Sequence, residues 1–499
     1  MEAEPAEQSS TVSQAPPNRI LTIVRQNRLT MKLLVKLLVV LAVLVVVTNG
    51  FKTTIRRQFT SSLSSSNTAV TSTPTSSTPQ ETVSNILNQL RAIDPAKVFE
   101  TISKVVQKPQ RLQYTASMMT RFSFFLLQGV SVSFLRSSAK VSEGANQPAQ
   151  RTPIDPLKIV NALSAAILSD DDSDVYVQSI TDDLNKQQVI SDQQTEFFKT
   201  TFKEIINLMK KEMKNIEEGI YKYPYDLDPT NPAAISQWSP LTVAQQLREY
   251  YVDRQLVLDR QETKNAFEVA KSFVSSKYPA YYLQNFHYQS DGWLSTKSAN
   301  LYDYQVESLF LGTADAMRRQ ILPSMNNYLK NVDTSSTKVL DLACGTGRFS
   351  SFVLDNYRDL DLTLMDASPQ YLERAKSMLS KYDQVKYAEG FGEEMPFPDG
   401  SFDAVTCVYM FHELPAEIRV KVVSEMKRVL KPGGKVFFVD SAQRGEVKHE
   451  QILEGFTVIA HEPYYLDYVT TDLKELFTGF TLDNQEVNWV TKCATFTKE

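Results

Sequence analysis

Cysteine is scarce in this 499-residue chain: Cys344, Cys407 and Cys493 are the full complement. Three thiols cannot build a disulfide framework, so the expectation is buried, reduced cysteine. Histidine is equally sparse. His287, His412, His449 and His461 lack the close spacing that a metal centre imposes, and no metal site is expected. Basic residues are not in excess either. The 53 Lys and Arg stand against 58 Asp and Glu, a net charge of −5, and no basic stripe offers itself to phosphates, which argues against nucleic acid as a partner. No Asn-x-Ser/Thr acceptor occurs, which disfavours a glycosylated lumenal face. Long apolar runs are missing too, with one exception. Leu33 to Val47 is apolar apart from Lys36, but fifteen residues fall short of the roughly 20 that span a bilayer comfortably. It reads as a short signal-anchor, a cleaved apolar core or part of a targeting leader.

What is present divides the chain. Residues 1–30 are polar and expected to be disordered, 31–51 form the hydrophobic anchor or targeting segment, and 52–82 are a Ser/Thr-rich linker. Residues 83–275 read as an all-helical accessory region without a chemical motif. Within it Ser191-Asp192 caps a long helix whose Phe198, Phe202, Ile205, Met209, Met213 and Ile216 recur at helical spacing, a core stripe. Phe122 to Leu135 is read as a buried core helix, and a further helix is expected over Val243 to Phe273. The acidic run Asp170-Asp171-Asp172-Ser173-Asp174 lacks the glycine and terminal glutamate of a calcium loop and is read as solvated. Residues 276–335 are an aromatic lead-in followed by a helix from Tyr302, with Val306, Phe310, Ala314, Met317 and Ile321 inward.

The informative stretch is Lys338-Val339-Leu340-Asp341-Leu342-Ala343-Cys344-Gly345-Thr346-Gly347-Arg348-Phe349. An apolar strand ends in an acid, glycines alternate, and a helical pattern takes over, the unit that cradles nucleotide-like ligands in open α/β sheets. Gly345 and Gly347 are expected to let backbone approach a ligand. Asp341 separates the readings: it would repel a dinucleotide pyrophosphate but hold an ammonium group. A ligand with a cationic amino-acid end and an adenosine end fits, and S-adenosylmethionine is such a ligand. Leu362-Thr363-Leu364-Met365-Asp366 then places a second acid about 20 residues on, where it can accept from ribose hydroxyls. Strands follow at Val385–Ala388, Ala404–Tyr409 and Lys435–Val439.

LDLACGTGRF, LMDAS, EEMPFPDGSFDAV and RVLKPGGKVFFVD resemble class I S-adenosylmethionine-dependent methyltransferases, in particular the ubiquinone/menaquinone-biosynthesis subgroup. The likeness covers 338–440 and extends toward residue 499, about a third of the chain. It implies a Rossmann-like doubly wound α/β domain over 336–499, preceded by the helical region. Cofactor contacts are implied at Asp341, Ala343, Gly345, Gly347, Asp366, Ala367, Phe391, Gly392 and Tyr409. Two departures stand out: Ala343 replaces the family's first motif glycine, and Phe391 stands where many members carry an acid near the adenine amine. The lead-in 278–295, with five tyrosine or tryptophan side chains, also resembles cyanobacterial and algal plastid members and reads either as a lid on the acceptor pocket or as packing onto the helical unit.

Methyl transfer requires mainly alignment, with a base only where the acceptor keeps a proton. Beyond the carboxyl end of the fourth strand stands His412, the first candidate for base or acceptor-positioning group because imidazole titrates near neutrality. Asp440, His461 and Tyr465 are further candidates. The expected acceptor is a small, fairly apolar molecule: a quinol, phenol, lipid or isoprenoid derivative. Membrane association through 31–51 is expected, with the catalytic domain cytosolic or plastid-stromal. A catalytically silent cofactor-binding protein is the alternative; a nicotinamide oxidoreductase conflicts with Asp341.

Overall fold

Short apolar strands alternating with amphipathic helices build the C-terminal part, because each strand must be covered on both faces. In the computed structural model the described residues are 109–142, 156–168, 174, 176–178, 192–272, 277–448 and 450–499. The expected disorder of 1–30, the apolar segment 31–51, the linker 52–82, the start of the helical region at 83 and the acids 170–172 lie outside them. No described helix is long and apolar enough to cross a membrane. The chain divides between Gln107 and Lys108, and the account that follows concerns the unit from Lys108 to Glu499.

Helices α1 (Pro109–Ser142), α2 (Pro156–Leu168), α3 (Asp192–Glu217), α4 (Pro232–Gln237), α5 (Pro240–Thr263) and α6 (Glu268–Ser272) come first. Phe202, Ile205, Met209, Met213 and Ile216 of α3 are buried, as the spacing requires, and so are Phe122, Phe124 and Phe125 of α1. The single helix expected to Phe273 is two: Lys264 takes a left-handed φ of 50° and ends α5. The helix expected from Tyr302 is three: α7 (Thr296–Leu309), α8 (Ala314–Arg319) and α9 (Leu322–Leu329). The first break lies at Leu311 and Gly312, both left-handed. A Cβ on Gly312 would lie 2.9 Å from Cβ of Arg121, so close contact with α1 dictates both the glycine and the break.

Then follow β1 (Lys338–Leu342), α10 (Arg348–Asn356), β2 (Asp361–Asp366), α11 (Pro369–Met378), β3 (Lys386–Glu389), β4 (Phe402–Val408), α12 (Ala416–Val429) and β5 (Leu430–Ser441). Helix α13 (Gln451–Ile459), the short turns α14 (Tyr465–Tyr468) and α15 (Leu473–Leu476), and β6 (Phe480–Asn488) and β7 (Thr491–Lys498) complete the chain. The strand order is β3-β2-β1-β4-β5-β7-β6. β1 through β5 run parallel, and β7 inserts antiparallel between β5 and β6. The order reverses between β1 and β4, and such a switch point opens a crevice beyond the strand ends.

The helical region is not set apart from the sheet. Tyr114, Met118, Ile205 and Met209 share one apolar core with Phe349, Phe352, Leu362 and Leu364. Inside it lies a charge network. Arg121 reaches Asp226 at 2.7 Å, Arg319 reaches Glu212 at 2.5 Å, Arg318 reaches Asp315 at 2.9 Å and Asp303 at 3.8 Å, and Arg348 contacts both Asp315 and Asp226. Four guanidiniums thus meet four carboxylates. Burial pushes the neighbouring Glu307 carboxyl up, which favours its neutral form. Burial opposes ionisation of Asp315 as well, but Arg348, Arg318 and Arg121 outweigh it and hold that carboxyl well below the usual range.

Removing one partner of such a network leaves a buried charge uncompensated, a loss of about 3–5 kcal/mol. Asp226→Ala should therefore lower the unfolding free energy by about that amount in urea denaturation. A change below about 1 kcal/mol would mean that Asp226 is not placed as described.

Candidate active site

The turn after β1 uses three left-handed residues: Ala343 (φ 55°), Gly345 (φ 55°) and Gly347 (φ 75°). The two glycines have different reasons. A Cβ on Gly345 would meet nothing within 4 Å, and the residue faces the cavity. A Cβ on Gly347 would come within 3.0 Å of Cβ of Ala375 in α11, so this glycine serves helix packing, not close approach of a ligand. Gly347 is absent from the cavity wall. Ala343 occupies a conformation that costs an L-residue roughly 1–2 kcal/mol, which explains why glycine is the commoner choice at this point of the motif.

Two acids end the adjacent strands. Asp341 is buried and accepts from Thr406 Oγ1 at 2.7 Å and from the Ser350 hydroxyl. Asp366 is half-buried and accepts from the amides of Gly345 and Ser368, both at 2.8 Å. Burial pushes each up to about 6 against the hydrogen bonds that favour ionisation, and Asp366 adds to the effect on Asp341. Among the described residues, no guanidinium or ammonium pairs with either one. A cavity walled by two such carboxylates and the open face of Gly345 suits a ligand that brings its own cation and hydroxyls.

Beyond β3, Phe391 meets Tyr282 edge-on at 5.7 Å and Tyr278 at 6.2 Å, while Tyr278 and Tyr282 stack on each other. The lead-in thus closes over this end of the cavity, and Tyr281, Tyr282 and Trp293 line it. The Tyr281 hydroxyl donates to Glu393 at 2.6 Å. The same segment packs onto the end of the helical region, since Asn285 Oδ1 accepts the amides of Glu268 and Val269. Lid and packing are therefore one arrangement. Ala367 and Gly392 complete this wall.

At the other end, β4 runs out into Tyr409 (φ 55°), Met410 and a tight turn at Phe411–Glu413. Asp440 is fully buried and accepts from the amides of Phe411 and Ser441 and from His412 Nδ1 at 2.6 Å. Burial opposes charge on His412, but Asp440, with Glu413 and Glu462, pushes its pKa up to about 10. The pairing with Asp440 thus favours the imidazolium form of His412 over the free base. Tyr465 is buried, its hydroxyl hydrogen-bonded to Ser441 Oγ at 2.7 Å. His461 Nε2 pairs with Gln284 Oε1 at 2.8 Å.

Of the sequence-derived cofactor positions, Asp341, Ala343, Gly345, Asp366, Ala367, Phe391, Gly392 and Tyr409 all line one cavity. The candidates His412, Asp440, His461 and Tyr465 are not on its described wall, and Asp440 and Tyr465 are engaged with neighbouring backbone and side chains instead. Sequence reasoning missed Glu413, which does line it, and Tyr302 and Arg318. The available signal was the His-Glu pair repeated at 412–413 and 461–462. Among the described residues no group of His, Cys, Asp and Glu has a metal-holding arrangement. The three cysteines are buried and unpaired.

Residues 339–434 match a family model described as a methyltransferase domain. An uncharacterized methyltransferase of Synechocystis is 38% identical over 148 residues, 29% of this chain and 67% of that protein. A demethylmenaquinone methyltransferase of Bacillus licheniformis is 34% identical over 116 residues, 23% of this chain and 49% of that protein. The chain thus spans two thirds of the first relative and about half of the second. A Pyrococcus horikoshii protein of known structure aligns at 22% identity with a TM-score of 0.30, covering 36% of this chain and 90% of its own.

Two outcomes test this geometry. Ala343→Gly should stabilise the protein by about 1 kcal/mol in denaturant unfolding, because glycine adopts the left-handed conformation without strain. No gain would argue against a left-handed Ala343. The second concerns pH. A carboxylate that titrates near 6 when free and must be ionised to hold a cation binds progressively worse below that value. Affinity for S-adenosylmethionine by calorimetry should fall about tenfold from pH 7 to pH 5, and Asp341→Asn should flatten the profile. A flat wild-type profile would remove the two acids from the ligand site.

Proposed function

The chain belongs to the class I S-adenosylmethionine-dependent methyltransferases, and on that premise we propose that it methylates a small, fairly apolar acceptor with a hydroxyl-bearing ring, of the quinol or phenol class. The observation that carries this reading is the aromatic wall: Tyr281, Trp293, Tyr302 and Tyr409, with Met410 and Leu414, face the same cavity as the glycine turn. Such a wall receives a flat, apolar molecule and excludes water from it. The name of the Bacillus relative, a demethylmenaquinone methyltransferase, is consistent with that class for the relative itself.

In this reading Asp341 holds the cationic amino-acid end of the cofactor and Asp366 takes the ribose hydroxyls. Phe391, Ala367 and Gly392 pack the adenine beneath the Tyr278–Tyr282 pair, and Tyr409 sits between cofactor and acceptor. Bound there, S-adenosylmethionine supplies a methyl group made electrophilic by its sulfonium. The protein's own work is alignment and exclusion of bulk water: as the methyl–sulfur bond breaks and the bond to the acceptor forms, neutral S-adenosylhomocysteine is left behind, and the proton the acceptor gives up is released to solvent with the product. The apolar run Leu33 to Val47 supports delivery of the catalytic unit to a membrane, where such acceptors partition, with that unit facing cytosol or plastid stroma.

The test is methyl transfer by the full chain, with labelled S-adenosylmethionine and phospholipid vesicles, to a short-chain demethylmenaquinol and a panel of phenols. The expected result is co-sedimentation with the vesicles and a product heavier by one methylene unit. Cofactor binding with no product across the panel would overturn the acceptor class; a chain that stays in the supernatant would overturn the membrane attachment.

A further inference from the structure

Glu413 opens onto the cavity from the turn after β4 and is 5% exposed. Its Oε1 accepts from His287 Nε2 at 2.8 Å, whereas its Oε2 is buried with no hydrogen-bond partner. Buried carboxylate oxygens are ordinarily satisfied, so the unpaired Oε2 of a residue that lines the cavity has room for one further donor. His287 arrives from the lead-in in a left-handed conformation (φ 54°), and its amide donates to the His461 carbonyl at 3.1 Å. Its Nε2 also lies 3.4 Å from Glu462 Oε1. Behind Glu413 stands His412, 3.7 Å from Oε1 and itself tied to Asp440.

The electrostatics give the carboxylate a defined state. Burial opposes ionisation of Glu413, but His287 and His412 outweigh it and hold its pKa below the usual value. Burial likewise opposes charge on His287, and Glu413 with Glu462 raises its pKa all the same. An ionised carboxylate of low basicity is a poor proton sink and a strong hydrogen-bond acceptor. Tyr302, whose hydroxyl is raised mainly by burial and in part by Glu413, lines the same stretch of wall.

We propose that Glu413 Oε2 receives the hydroxyl of the acceptor, making it the residue that selects a hydroxyl-bearing ring, with His287 as the positioning residue that fixes the carboxylate. The assignment rests on the acceptor reading above. The hydrogen bond orients the ring and raises electron density on its oxygen and the conjugated carbons, without transfer of the proton. An analogue with a methoxy group in place of the hydroxyl leaves Oε2 buried and unpaired, and sites of this kind reject such analogues strongly.

The test is binding of 1-naphthol and 1-methoxynaphthalene to the full chain saturated with S-adenosylhomocysteine, by calorimetry. Wild type should prefer the naphthol on the order of 10- to 100-fold. Glu413→Gln should reduce that preference and Glu413→Leu abolish it, with a lowered thermal midpoint because His287 loses its partner, but with S-adenosylhomocysteine affinity unchanged, which shows that the fold and the cofactor end are intact. His287→Leu should lower the preference, and His287→Gln, which keeps a donor, should restore most of it; a merely structural histidine would not show that rescue. Equal affinity of wild type for the two probes, a preference that survives Glu413→Leu, or a loss confined to the cofactor product would overturn the assignment. Hydroxyl preference without any methylated product in the turnover assay would overturn the acceptor reading while leaving Glu413 as the hydroxyl-binding group.

Discussion

Two carboxylates at the ends of adjacent parallel strands, neither of them in an ion pair among the described residues, are the constraint around which the site is arranged. Burial raises both Asp341 and Asp366 to about 6, so the free protein holds negative charge there at a cost near neutral pH. Burying a charge without a partner is unfavourable, and the arrangement makes sense only where a ligand supplies the missing counterpart. The amide of Gly345 donates to Asp366 and so offsets part of that cost, which ties the glycine turn to the second strand across the β1–β2 pairing. In the proposed reading, cofactor affinity is stored in the fold as an unmet electrostatic demand.

The rigidity needed to keep such an arrangement comes from the helical region. Arg348 is the first residue of α10, directly after the turn, and its guanidinium is locked between Asp315 of α8 and Asp226 beyond α3. Arg319 and Arg348 both lie over the Phe352 ring, at 4.6 and 5.0 Å. A buried network of this size contributes little net stability compared with apolar packing, but it tolerates only one register of its partners. Asp315 and Asp226, neither of which lines the cavity, accordingly act on the site at a distance: they fix where α10 begins, and with it the geometry of the turn.

What the sequence made legible was local. Strand, acid, glycines and helix start occupy consecutive positions 338–349, and the acid at 366 follows one helix later, so short-range pattern sufficed to single out Asp341, Gly345 and Asp366, which line one cavity. The α3 stripe was equally readable because its period is that of a helix. Long-range features were not. Gly347 looks like a ligand-contact glycine but answers to Ala375 of α11, and the helix break at Gly312 answers to Arg121. Nothing in 480–498 announces that the final strand inserts between β5 and β6. Glu413 escaped notice for the same reason: its partner His287 comes from a segment that precedes the whole sheet. His412 attracted attention because histidine titrates near neutrality, but Asp440 removes that property.

Backbone strain follows the same map. Ala343 and Tyr409, two of the non-glycine residues with left-handed φ, sit on the cavity wall, and His287, a third, holds Glu413. Each such residue costs of order 1–3 kcal/mol and persists only where its surroundings over-determine it. The strands β1 and β4 would carry their next side chains alternately above and below the sheet, not across its end. A left-handed residue immediately after each strand turns the chain, and Gly345 after β1 and Met410 and Glu413 after β4 all reach the cavity wall. The strain at 343 and 409 is therefore the local cost of making two parallel strands present a ligand site at their ends, and the equivalent strain at 287 brings the lead-in down upon it.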